Sequence, residues 1–94
     1  MSDTFDLLEA VHDHETFVAF AMALATERRS AAKIEADNPH RYVLAGAHGW
    51  ANGDIPAFSE AACEFFASVP DGEPVPEPSW KVFAEILWCG KIIE

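Results

Sequence analysis

Read as a string of apolar and polar positions, the chain alternates between helical stripes and clear breaks. The stretch "HDHETFVAF" opens the first long stripe. Asp13 is a good N-cap, and Glu15 in the next turn suits the positive end of a helix dipole. Phe17, Phe20, Ala21, Leu24 and Ala31 then recur at three- and four-residue steps, with Glu27 and Arg28 at the edge of the stripe. The alanine-rich run after it has high helix propensity and carries the helix to about Ala36, because Pro39 disfavours a helical Asn38. Upstream, "DTFDLLEAV" reads as a short helix capped by Asp3, with Phe5, Leu8 and Val11 on one face.

"RYVLAGAHGWANGD" breaks the pattern. Tyr42, Val43 and Leu44 suit either a loop or a short strand, and Gly46, Gly49 and Gly53 punctuate the rest of the segment. Segment 41–53 is therefore read as a loop that drops Trp50 onto the core. Asp54 caps the next stripe, with Pro56 in the tolerated first turn. Ile55, Phe58, Ala62, Phe65 and Val69 form its expected buried face. The connector "PDGEPVPEP" holds four of the six prolines and is too stiff for a helix. Ser79 caps a last helix running to about Cys89, with Gly90 placed to end it. Trp80, Phe83, Ala84 and Leu87 face one way, whereas Val82, Ile86 and Cys89 face another. A helix apolar on two sides is central, so Trp80 is expected in the core and "KIIE" tucked back against the domain. The pattern predicts an all-α single domain over residues 1–94. Three main helices and a short N-terminal one form a compact bundle, and the C-terminal helix lies at its centre.

Composition narrows the function more than the fold. Ninety-four residues, half of them apolar, suffice for one modest core. Sixteen acidic side chains against six basic ones give a net charge of −10. That balance argues against nucleic acid and anionic membrane surfaces as partners, and it suits solubility or a basic protein partner. "FVAFAMALA" and "VFAEILWCG" are too short to span a bilayer, and no basic segment followed by an apolar run opens the chain. The expectation is a cytoplasmic protein whose Cys63 and Cys89, lacking CxxC spacing, are reduced.

Trp50, Asn52, Ile55 and Phe58, followed after the proline-rich gap by Ser79, Trp80, Phe83, Ala84, Leu87 and Glu94, form a wider pattern. It resembles a family of small bacterial proteins of unknown function, and residues 17–24 fit the first helix of that family. Ile93 departs from the pattern, which has an aromatic residue before the final glutamate. The resemblance implies a helical fold and brings no activity, cofactor or catalytic residue.

Two clusters carry candidate chemistry. His12, Asp13, His14 and Glu15 put four potential metal ligands side by side, but at a helix start the two rings diverge and Asp13 serves as a cap. They read as solvated surface groups, and no cofactor or metal is expected. His48, Trp50, Asn52 and Asp54 lie together in the glycine-rich loop, and read either as a polar pocket with an aromatic wall or as turn and cap residues. Cys63 sits in mid-helix, away from any dipole that would activate it for a His48 base. Arg28, Arg29 and Lys33 form a basic cluster expected to pair with Glu27, Glu35 and Asp37. No phosphate cradle, nucleophile elbow or zinc spacing is present in the sequence. The leading expectation is a non-enzymatic interaction protein that engages a basic partner, of which a toxin-neutralising immunity protein is a specific form. The alternative is a small-molecule-binding or enzymatic module built on the His48 loop. A homodimer using Trp88 or Phe66 at its interface is a third arrangement.

Overall fold

Capping residues set where the helices begin. In this computed structural model, which describes residues 4–42 and 46–93, the elements are α1 (Thr4–Ala10), α2 (His14–Asp37), a 3-10 turn (Ala47–Gly49), α3 (Ile55–Ala67) and α4 (Trp80–Ile92). Among the described residues there is no strand. The Asp13 carboxylate accepts the Thr16 N–H at 2.8 Å, and the Thr16 hydroxyl accepts the Asp13 N–H at 3.1 Å. This reciprocal box satisfies two donors that a helix start otherwise leaves orphaned. Asp54 accepts the Ala57 N–H at the start of α3, and Ser79 accepts the Val82 N–H at the start of α4. The Asp3 cap expected for α1 lies outside the described residues, as do Val43 and Leu44.

The bundle is all-helical, and α4 packs against α1, α2 and α3, whereas α2 and α3 hardly touch. Phe20, fully buried, sits at the centre of a core that joins Leu8, Val11, Leu24, Ala31, Ala47, Trp50 and Ala84. Lys81 reaches from α4 to donate a hydrogen bond to the Leu8 carbonyl at 2.8 Å, beside the Val11 N–H that the same carbonyl accepts at 3.2 Å, and so ties α4 to the end of α1.

Several positions differ from the sequence expectation. Trp80 is 43% exposed and Ile55 81% exposed, so neither belongs to the core. Trp80 instead packs one side of its ring on Phe17 and Phe83 at the start of α4. The two positions open their helices, and the stripe spacing says nothing about how far a neighbouring helix extends beside a first turn. Gly90 does not end α4. It lies buried inside the helix, where an added Cβ would stand 2.6 Å from the Phe58 ring, so its lack of a side chain is used for close helix packing. At the C-terminal end, Lys91 is buried, Ile93 half-buried and Ile92 46% exposed. The tail is tucked in chiefly through its lysine. Trp88, expected as a spare interface aromatic, is instead covered by Phe5, Phe20 and the Lys91 ammonium.

Candidate functional site

The loop between α2 and α3 is built from a few backbone requirements. The Gly46 N–H donates to the Trp50 carbonyl at 2.9 Å, closing the loop on itself. A Cβ on Gly46 would stand 2.4 Å from that same carbonyl oxygen, so only glycine fits. His48 and Gly49 both take left-handed backbone angles, with φ of 57° and 78°. Histidine is tolerated there better than a branched residue. This tight reversal turns the Trp50 indole inward, where it is 5% exposed.

Around that indole the structure assembles a group of paired charges. Trp50 Nε1 donates to Glu27 Oε1 at 2.8 Å, and Lys91 Nζ lies 2.6 Å from the same oxygen. The Thr4 hydroxyl donates to Glu27 Oε2 at 2.9 Å. Glu27 thereby joins α1, α2, the loop and α4 through one carboxylate. The Lys91 ammonium also stands 4.7 Å from the Trp88 ring centroid and 5.9 Å from that of Trp50, so two aromatic faces and one carboxylate replace its water. Arg28, the residue after Glu27, forms a two-pronged pair at 2.8 and 3.0 Å with Glu35 two turns further along α2, and Glu35 accepts the Ala47 N–H at 3.0 Å. Arg28 thus pairs with Glu35 as expected, and it lies partly buried over Trp50.

Hydrogen bonding from Arg28 holds the Glu35 carboxyl below its ordinary value of 4.5, against the opposing effect of burial and with help from the Ala47 N–H. Bonds from the Thr16 backbone and side chain hold Asp13 below its ordinary 3.8. A carboxyl whose folded value is depressed contributes stability that is complete above its unfolded value and is lost as pH falls through the folded one. Stability is accordingly expected to fall as the pH drops below about 4.5, and Glu35→Gln should shallow that decline. Urea denaturation midpoints measured from about pH 6 to about pH 3 check this, and a parallel decline in the variant would show that Glu35 is not its source.

The four loop residues singled out in the sequence part company in space. Trp50, Asn52 and Asp54 line a hollow of about 300 Å³ between α2 and α3, floored by Leu87 of α4. His48 is not among its lining residues; it is exposed, with Nε2 3.4 Å from the Ser30 hydroxyl. The polar side chains that border the hollow already have internal partners. Asn52 donates to the Gly90 and Ile93 carbonyls and so caps the end of α4, Asp54 caps α3, Trp50 bonds Glu27, and Arg28 bonds Glu35. The remaining lining, including Ala21, Leu24, Ala25, Ile55 and Phe58, is apolar. Such a hollow accepts an apolar group and offers little to orient a polar substrate.

Both cysteines are free. Burial, with the Glu85 charge adding to it, pushes the Cys89 thiol up, which makes it a poor nucleophile. Among the described residues no cluster of three or more His, Cys, Asp or Glu is arranged to hold a metal ion, and no helix is long and apolar enough to cross a membrane. No protein-family model matches the chain, and neither does any curated protein or solved structure.

Proposed function

We propose that this chain is a protein-interaction module that engages a basic protein partner through the half of the bundle formed by α3 and the proline-rich connector. The observation that carries this reading is the distribution of charge. Between Ala51 and Trp80 the chain holds six acidic residues and no basic one. Glu60 and Glu64 on α3, and the whole stretch 70–80, are exposed. Of the six cations, Arg28, Lys81 and Lys91 are engaged with internal carboxylates or carbonyls, and among the described residues none of the six acidic side chains between Ala51 and Trp80 forms an ion pair. A surface of this kind steers a cationic partner and loses its pull as salt screens it over about 10 Å at 0.1 M. Neutralising a basic toxin inside the cytoplasm of a bacterium is the specific role that suits such a surface.

The alternative of a small-molecule or enzymatic site draws on the hollow beside Trp50. The inward engagement of Asn52, Asp54 and Arg28 weighs against it. Affinity capture from the native host tests the proposal, using the wild type and a variant with Glu60, Glu64, Glu73 and Glu77 all replaced by glutamine. A basic protein retained at low salt by the wild type and lost by the variant is expected. Finding no basic protein, or equal retention by both baits, contradicts it.

A further inference from the structure

The proline-rich connector starts from a turn in which the Glu73 N–H donates to the Pro70 carbonyl at 3.1 Å and Gly72 takes a φ of 85°. Residues 75–78 then form one wall of a hollow of about 330 Å³. Phe66, next to the end of α3, forms a second wall, and Val82, Phe83 and Ile86 of α4 complete it. Prolines at 74, 76 and 78 each fix φ near about −65°, so the connector wall has little backbone freedom to lose on binding. Phe66 and Phe83 are 42% and 39% exposed, and both keep ring surface that a bound group would cover. Glu77 is the one charged residue in the lining, and among the described residues its carboxylate forms no ion pair. Lys81, beside Val82 in sequence, does not supply one. Its ammonium is turned to α1, 2.8 Å from the Leu8 carbonyl and 4.0 Å from Glu9.

We infer that this hollow receives an arginine side chain of the basic partner, its methylene stem against Val82 and Ile86 and its guanidinium among the Phe66 and Phe83 rings and the Glu77 carboxylate. The inference rests on the interaction reading above and deepens it by naming one contact. The walls decide the occupant. An apolar side chain would take water from the Glu77 carboxylate and return no partner, which costs free energy. A cation with an apolar stem covers the walls and pairs the charge together. Arginine suits the place better than lysine, because a guanidinium is more weakly hydrated than an ammonium and stacks on aromatic faces. Glu73 stands two residues before Val75, within about 7 Å along the chain, and adds to the negative field at this end of the bundle. At about 330 Å³ the hollow lies at the low end of the roughly 300–1,000 Å³ of ligand sites, which suits one long side chain. A second copy of this chain would bring another −10 to the encounter, which disfavours it as the source of the arginine.

The test titrates three short synthetic peptides with blocked ends into the full chain, followed by backbone amide NMR. Each is built of glycine and serine around a central pair of arginines, lysines or leucines. Two variants are compared with the wild type, Glu77→Gln and Glu60→Gln. Both positions are exposed and each variant removes one charge, but Glu60 does not line the hollow. The arginine peptide is expected to bind most tightly and to shift the amides of Phe66, Glu77, Val82 and Ile86. Glu77→Gln should weaken it about fivefold, the order of one partly exposed ion pair, and Glu60→Gln less than about twofold. Equal weakening by the two variants, with shifts spread over the acidic surface, overturns the hollow and leaves the acidic-surface reading standing. Lysine or leucine peptides that bind as tightly as the arginine peptide overturn arginine as the occupant. Failure of every peptide to bind overturns the hollow, while the interaction reading is still decided by the affinity capture above. A dimer seen by sedimentation and dissociated by Glu77→Gln overturns the partner as the source of the arginine.

Discussion

Replacing Glu27 by alanine is expected to destabilise the fold by about 3–5 kcal/mol, the range found when one partner of a buried ion pair is removed. The substitution leaves the Lys91 ammonium, 6% exposed, without its counter-ion, and deprives the Trp50 N–H and the Thr4 hydroxyl of their acceptor. At roughly 4–8 °C per kcal/mol for a domain of this size, the melting temperature should fall by about 12 °C or more. Most of that cost belongs to the stranded charge. Lys91→Met should therefore recover much of the stability in the Glu27→Leu background, since an apolar pair of similar volume removes both desolvated ions. A double-mutant cycle read by chemical denaturation checks it. Additive losses in the double variant would show that the two side chains are not coupled, and that the loop is held by other contacts.

Phe20→Ala is the second large effect. Phe20 has no exposed surface and lies in the shared core, with its ring 6.5 Å from that of Trp88. Truncation of a buried phenylalanine costs about 3–5 kcal/mol, because the lost transfer energy is compounded by the cavity left behind. A single domain with a total stability of roughly 5–15 kcal/mol then loses a large share of it. Phe20→Leu, which keeps more of the volume, should cost markedly less. Trp80→Ala serves as the contrast. Its ring is 43% exposed, so the variant should fold and melt well above Phe20→Ala. Thermal melts of the three variants check the ordering, and a Trp80→Ala loss equal to that of Phe20→Ala would place the core on the wrong side of α4.

The helices are legible in the sequence because their signals are local. Asp13, Asp54 and Ser79 each bond a backbone N–H three residues on, and the spacing of Phe20, Leu24 and Ala31 marks one face without reference to the rest of the chain. Sequence and structure diverge where tertiary context decides. Gly90 carries the mark of a helix end, but the Phe58 ring needs its space, and the Ala51 N–H and Asn52 amide satisfy the carbonyls that would otherwise be exposed at the end of α4. Trp80 and Ile55 follow the stripe yet stand at helix starts, where the neighbouring elements cover Trp80 only in part and Ile55 hardly at all.

The loop stands out in the sequence at the right residues, but its chemistry faces inward. Trp50, Asn52 and Asp54 each hold an element in place, and only His48 is free of such a task in the core. The Glu27–Lys91 pair is half visible. Glu27 sits at the edge of the α2 stripe, and Lys91 is a lone charge in the apolar run "LWCGKII". A single charge in such a run, within reach of an acidic stripe edge, is the signal that points to a buried pair; the chain separation of the two residues conceals it.

The central claim is that the acidic half of the bundle does the binding and the glycine-rich loop does the holding. It is tested most directly by measuring the affinity of the captured basic partner for three forms of the chain at low salt. These are the wild type, the Glu60, Glu64, Glu73 and Glu77 to glutamine variant, and His48→Ala. His48→Ala is predicted to bind as the wild type does, and the four-glutamine variant at least about tenfold more weakly. Loss of binding in His48→Ala, with the four-glutamine variant unaffected, would contradict the claim.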